Sequence, residues 1–230
     1  MVVVTGGNSG MGRAIAQGFV ASGDHVVVGD VGGDPLPDVR YQATDVSSAE
    51  QVSALIDFAV ARLGRVDVLV NNAGINGVLA PLADQTDENV DAVLGVNLKG
   101  VIYGLRYGLR AMTRQRGGVI VNIASVQGLR PIYTGASIYS ASKAAVISLT
   151  RSAAHEYGQY GIRVVAVAPG PIDTPMLRAA DPDHAIAGAV PLGRVGSTQE
   201  LASAVLWLAS DAASYVSGTV VTVDGAFLAA

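Results

Sequence analysis

The sequence contains no cysteine, which excludes disulfides, thiolate catalysis and Cys-ligated metal sites. Histidine is scarce. His25, His155 and His184 lie far apart without metal-ligand spacing, so no metal site is predicted. Charge is thin: Asp, Glu, Lys and Arg make up 15% of the chain, against a typical share of about 25%. Little of the chain can therefore be solvated face, and either the core is large or further surface is covered by other subunits. Basic residues do not outnumber acidic ones, and the net charge of −4 leaves no footprint for nucleic acid. No apolar run approaches the roughly 18–20 residues of a membrane span. The N-terminus shows no basic segment, apolar core or small-residue cleavage site of a secretory signal. A soluble cytoplasmic protein without a membrane partner is expected.

Short apolar runs and glycine are what the chain has instead. Val2–Thr5 is continuously apolar, as a strand buried on both faces would be. It leads into Thr5-Gly6-Gly7-Asn8-Ser9-Gly10-Met11-Gly12 and then a run with helical spacing from Arg13. Strand, glycine turn and helix is the setting of a dinucleotide fingerprint. The glycines let the backbone approach a pyrophosphate, and the helix start offers N–H donors and a positive dipole end. A plain turn needs fewer glycines. His25–Gly29 reads as a second strand, with Asp30 at its end to accept hydrogen bonds from the adenosine ribose of NAD and to repel the 2′-phosphate of NADP. Arg13 lies inside the helix start and need not reach such a phosphate, and no Lys or Arg follows between Val31 and Asp38.

Further strands are predicted at Val39–Ala43, Val66–Val70, Val119–Ile123, Arg163–Ala168 and Thr219–Val223. Helices are predicted at Gln51–Leu63, at Thr86–Arg114 as one long stretch, from Tyr139 to about Tyr160, and at Thr198–Ala209. Pro175–Val190 reads as a mobile segment. Asp45 is placed either to cap the helix that follows it or to contact adenine, and Asn71 to tie strand ends or to line the ligand crevice. Regular alternation of strand and helix predicts an α/β fold: one Rossmann-like, doubly wound parallel sheet of about seven strands in a single domain over residues 1–230.

Chemistry concentrates between Ser125 and Lys143. Tyr139 and Lys143 are four apart at the start of a helical run, which puts them one turn apart on one face. A phenol titrates near ~10, and a close ammonium favours the phenolate. A drop to ~7 corresponds to about 4 kcal/mol and would make Tyr139 a proton donor and acceptor near neutrality. Tyr133 is the competing tyrosine, but Ser137 rather than Lys stands four residues on, so it is placed in the pocket wall.

Together these motifs resemble the compact, single-domain branch of the short-chain dehydrogenase/reductase family over essentially the whole chain. Thr5-Gly6-x-x-x-Gly10-x-Gly12 matches its cofactor loop and Asn71-Asn72-Ala73-Gly74 its fourth-strand motif. Asn97, Ser125, Tyr139 and Lys143 match its catalytic tetrad, and Pro169-Gly170 with Thr174 the segment that holds the nicotinamide. The Tyr–Lys spacing differs from that of the enoyl-reductase branch. The resemblance implies hydride transfer between a secondary alcohol and its ketone, with NAD(H) bound by Gly6, Asn8, Ser9, Gly10, Met11, Gly12, Asp30, Asp45, Val46, Asn72, Ala73, Gly74, Tyr139, Lys143, Pro169, Gly170, Ile172 and Thr174. It implies that Tyr139 moves the hydroxyl proton, Ser125 holds the reacting oxygen, Lys143 lowers the phenol and contacts the ribose, and Asn97 holds a water next to Lys143. It also implies a homotetramer, and Tyr103, Tyr107 and the apolar end from Phe227 are compatible with buried subunit surface. The chain is short for the family after Asp30 and over 175–195, which predicts a smaller lid. Val126, Gln127, Tyr133, Met176 and Leu177 are the candidate substrate pocket. They are mostly apolar, and Arg178 is expected to face solvent. The competing readings are an NADP-dependent ketoacyl or carbonyl reductase, which Asp30 opposes, and a non-catalytic NAD-binding regulator, which has no need of a tuned phenol.

Overall fold

The computed structural model describes residues 1–229. Seven strands form one parallel sheet in the order β3-β2-β1-β4-β5-β6-β7. These are β1 (Val2–Thr5), β2 (Val26–Asp30), β3 (Arg40–Ala43), β4 (Val68–Asn71), β5 (Gly118–Ile123), β6 (Ile162–Pro169) and β7 (Val220–Val223). The helices are α1 (Gly10–Ala21), α2 (Ala49–Leu63), α3 (Asp87–Leu94), α4 (Gly100–Gln115), α5 (Ser137–Tyr157), α6 (Pro175–Ala180) and α7 (Thr198–Ala209).

The strands read as unbroken apolar runs because both sheet faces are covered, and the two-residue period then deals their side chains to opposite layers. Val2, Val4, Val26, Val28, Val70 and Val165 pack with Ile15 and Phe19 of α1 and Leu201, Val205 and Leu208 of α7. Val3, Val27, Leu69, Ile120 and Val164 pack on the other face with Leu55 and Ile56 of α2, Leu105 and Leu109 of α4, and Val146 and Ile147 of α5. Each fully buried Leu or Ile contributes about 1.5–3 kcal/mol. Close seating of α4 depends on small residues. A Cβ on Gly104 would lie 2.0 Å from Asn71 Oδ1, and one on Gly108 2.6 Å from Leu69.

Strand order reverses between β1 and β4, so their C-terminal ends diverge into a crevice at the switch point. Thr5 and Asn72 lock that mouth. The Thr5 hydroxyl accepts from the N–H groups of Asn72 and Ala73, while Asn72 Nδ2 donates to the carbonyls of Thr5 and Gly6. Asn71 is structural: its Nδ2 donates to Asn122 Oδ1 at 2.8 Å, and Asn122 donates to Thr150 on α5.

Two elements depart from expectation. Thr86–Arg114 is not one helix. Thr86 caps α3, a π turn spans Gly95–Lys99, and α4 follows. The wider turn carries Asn97, whose side chain bonds both the N–H and the C=O of Ile75 and also Ser142. A residue that is unfavourable in a regular helix is thus fully satisfied in a π turn. The stretch 175–190 is also built rather than irregular: Thr174 caps α6, and a 3-10 turn forms at Ala185–Ala189. Of the two roles open to Asp45, capping falls away: Ser48, in a Ser-Ser-Ala-Glu helix start that reads as an N-cap, caps α2, and Asp45 accepts from the N–H and hydroxyl of Ser47. Among the described residues no helix is long and apolar enough to cross a membrane.

Candidate active site

The crevice beyond β1 and β4 has a volume of about 250 Å³. Gly6, Ser9, Gly10, Met11, Gly12, Asp30, Asp45, Val46, Asn72, Ala73, Gly74 and Thr174 line it, as expected for cofactor contacts. Val31, Thr44, Ile75 and Val96 line it as well and went unread in the sequence, since each lies one position from a recognisable motif residue or at a strand end. A Cβ on Gly12 would sit 2.1 Å from the Gly6 carbonyl, so the loop has room for backbone and nothing else. Ser9, at the start of α1, makes no side-chain cap, and no acid occupies the first turn. The helix therefore presents its N–H groups and positive dipole end to the crevice, which suits a pyrophosphate.

At the far end of β2 the Asp30 carboxylate accepts from Asn8 N–H at 3.0 Å and from Gly32 N–H at 3.4 Å, which fixes its direction. Asn8 does not line the crevice; its Nδ2 holds the Gly32 carbonyl and its Oδ1 is buried. Arg13 donates to the carbonyls of Asn8 and Asp34, at 3.2 and 2.9 Å. It staples the 31–34 turn rather than offering a free cation.

The tetrad residues converge where β5 meets α5. Ser125 follows β5; its hydroxyl accepts from Gln127 N–H, and it shares a cavity wall with Tyr139. Lys143 Nζ lies 5.7 Å from the Tyr139 ring centre and donates to the Ile123 carbonyl at 2.9 Å. A Cβ on Gly74 would come within 3.3 Å of Asn97 Oδ1 and 3.4 Å of Lys143 Nζ, so that glycine keeps open the space between them.

The electrostatics correct one expectation. The Tyr139 phenol is pushed up from its ordinary value, chiefly by burial, with the Ser125 hydrogen bond pulling down and Tyr133 pushing up. The Lys143 ammonium lies beside the ring while donating to the Ile123 carbonyl. Burial lowers the Lys143 ammonium itself to about 8.

A second cavity of about 560 Å³ adjoins the crevice, and Met11, Thr174 and Met176 line both. Ser125 and Tyr139 line this cavity with Val126, Gln127, Tyr133, Met176 and Leu177, as the sequence suggested, and Ala185, Ile186 and Ala189 complete its lid. Pro169, Gly170 and Ile172, expected against the cofactor, line this cavity too. Leu79, Asn76, Ala136 and Asp181 were not foreseen, because chain separation hides their convergence. Gln127 Oε1 accepts from the N–H groups of Ile132 and Tyr133 and from the Ser140 hydroxyl, which sets the turn carrying Tyr133; its Nε2 is buried without a protein partner among the described residues. Arg178 is exposed, as expected, but is held by both oxygens of Asp173 at 2.7 and 2.8 Å.

A family model described as enoyl-(acyl carrier protein) reductase matches residues 6–227. The chain belongs to the short-chain dehydrogenase/reductase family. Levodione reductase of Leifsonia aquatica is 41% identical, covering 98% of this chain and 92% of the relative. Its crystal structure superposes with a TM-score of 0.94 at 40% identity, covering 100% of this chain and 97% of that one. Cis-4-hydroxycyclohexanecarboxylate dehydrogenase of Sinomonas cyclohexanicum is 42% identical, covering 100% of this chain and 96% of the relative. The 2,5-dichloro-2,5-cyclohexadiene-1,4-diol dehydrogenase of Sphingobium indicum is 39% identical, covering 99% and 96%. Short-chain dehydrogenase structures include both cofactor types. ElxO with NADP bound matches with a TM-score of 0.90 at 30% identity, covering 100% of this chain and 98% of that one. The 3-ketoacyl-(acyl carrier protein) reductase of Brucella melitensis, complexed with NADH, matches at 0.91 and 31%, covering 97% and 96%. An oxidoreductase with a nicotinamide cofactor is the activity that this membership supports.

Proposed function

We propose that the protein is an NAD(H)-dependent oxidoreductase that interconverts a small, mostly apolar secondary alcohol, ring-bearing in type, and its ketone. The observation that carries this reading is that Tyr139 and Ser125 share the wall of an apolar cavity that abuts the glycine-lined crevice. Relatives named for ring alcohols support the substrate class. When bound, the nicotinamide supplies or accepts the hydride. Ser125 and Tyr139 hold the reacting oxygen between two hydroxyls, where charge develops. In reduction Tyr139 gives its proton to that oxygen; in oxidation it takes the proton back. Lys143 places a buried positive charge beside the phenol ring, and one of its three donors is spent on Ile123. Asn97 braces the Ile75 loop beside Lys143, in position to hold a water there.

NAD rather than NADP is supported by Asp30, which is pinned with its carboxylate in the crevice, and by Arg13, whose Nη1 is held by the Asn8 and Asp34 carbonyls. A 2′-phosphate there would meet like charge. A panel of ring and open-chain ketones with NADH and NADPH, followed by cofactor absorbance, tests the reading. Faster turnover with NADH is expected, and Asp30→Ala should narrow the preference by roughly tenfold or more. Preference for NADPH in the unaltered protein would reject the cofactor assignment.

The homotetramer belongs to the same proposal. Half-buried Tyr103 and Tyr107 on α4 lie under Arg106 and Arg110, and Trp207 on α7 is 45% exposed, which leaves aromatic surface for subunits to cover. A stable monomer in sedimentation would reject this part.

A further inference from the structure

Among the described residues one charged side chain lines the substrate cavity, and it is an acid. Asp181 follows α6 and shares the cavity wall with Tyr133, Gln127, Leu177 and Ile186. Its two oxygens accept from the N–H groups of Ala185 and Ile186, at 3.0 and 2.9 Å, and these bonds start the 3-10 turn of the lid. The basic side chains of the same segment do not answer it. Arg178 and His184 both turn to Asp173, His184 Nε2 lying 3.3 Å from the same Oδ1 that Arg178 holds. Among the described residues no Lys, Arg or His lines the cavity. Two backbone dipoles partly offset a carboxylate but leave its net charge in place at the half-buried edge of the cavity.

We propose that Asp181 is the charge filter of the substrate cavity, admitting neutral alcohols and ketones and refusing those that carry a carboxylate or phosphate. This inference deepens the proposed function and rests on it for the location of the substrate. Specificity here comes from a repulsive element rather than from an added attraction. The relative named for a ring hydroxycarboxylate takes the kind of anion that this cavity would refuse.

The test compares 4-methylcyclohexanone with 4-oxocyclohexanecarboxylate, which share a ring and differ in charge. The protein should prefer the neutral ketone in kcat/KM by roughly tenfold or more, as a like charge a few ångströms away implies. Added salt should raise turnover of the carboxylate selectively. Asp181→Asn keeps an oxygen for one of the two lid N–H groups and should shrink the preference about tenfold by improving the carboxylate. Equal turnover of the two ketones overturns the filter. So does an Asp181→Asn protein that keeps neutral activity with an unchanged ratio. If that variant folds poorly, the salt dependence of the unaltered protein decides alone. Calorimetric binding of the same pair with NADH present reads the filter apart from the chemistry. A neutral preference in binding without any turnover upholds the filter and rejects the oxidoreductase reading, and equal binding rejects the filter.

Discussion

The cofactor crevice and the substrate cavity share a wall at Met11, Thr174 and Met176, yet they are made of different material. The crevice is glycine backbone along its loop, with Asp30, Asp45 and Thr174 set around it. Its mouth is held by Thr5 and Asn72 through bonds that span more than sixty positions of sequence, and its loop has no room for a Cβ at Gly12. The cavity is side chain, closed by Met176, Leu177 and the short turn at Ala185–Ala189, with Met176 still 40% exposed. Backbone sites bind a constant group and tolerate almost no change. Side-chain walls can be repacked one residue at a time, so they are where substrate choice is written.

Changes at the junction and on either side of it should separate the two regions. The largest effect is expected from Tyr139→Phe, which removes the proposed proton donor from the cavity wall. Turnover should fall by about 10²–10⁴-fold while NADH titration gives an unchanged affinity. Surviving activity would remove Tyr139 from the chemistry. Gly12→Ala should act on the crevice alone. Its Cβ falls 2.1 Å from the Gly6 carbonyl, so NADH binding should collapse and thermal melting should fall by the equivalent of about 1–3 kcal/mol. Normal NADH affinity in that variant would break the picture of a loop that admits backbone alone.

Lys143→Met asks how much the junction costs the fold. Holding the buried ammonium charged at neutral pH costs the folded state about 3 kcal/mol, from its displacement from 10.5 to about 8. The folded protein releases this proton before the unfolded chain does, so the cost is full below about pH 8 and is relieved as pH rises towards 10.5. Any stability gained by Lys143→Met should therefore be greatest below about 8 and shrink above it, and denaturant unfolding across that range checks the sign. A gain that grows with pH would contradict the burial of a charged Lys143.

Tyr139 offers a finer check. Because the phenol is pushed up, ketone reduction should hold steady across neutral pH and fail only in alkali, whereas alcohol oxidation should climb with pH. In a Tyr133→Phe background, Ser125→Ala removes the one downward pull and should move the ultraviolet titration of Tyr139 higher still. The smallest effect is expected in the lid. Ile186→Ala should change KM by a few-fold for bulky ring ketones and leave NADH affinity alone. A loss of NADH binding there would mean that the two regions are coupled.

The glycine loop, Asp30, Ser125 and the Tyr139–Lys143 pair were readable because each works through local spacing on a strand end or one helix face. The π turn was not, since it exists to let Asn97 reach Ile75 and Ser142, partners 22 and 45 residues away. The raised phenol was hidden for a similar reason. Spacing places Lys143 beside Tyr139, but burial, which only the fold sets, is the chief push on the phenol. The order within 175–190 comes from Asp173 and Asp181 reaching across turns whose composition alone reads as irregular.

By itself the sequence determined the sheet, the alternation of its faces and the register of the motifs along it, because hydrophobic period and glycine placement act over a few residues. Tertiary structure alone decided which charges reach the substrate. Arg178 and Asp181 are three positions apart, yet one is tied to Asp173 at the surface and the other lines the cavity. A side chain's field acts through space, and only the folded chain sets the distances and the dielectric over which it acts.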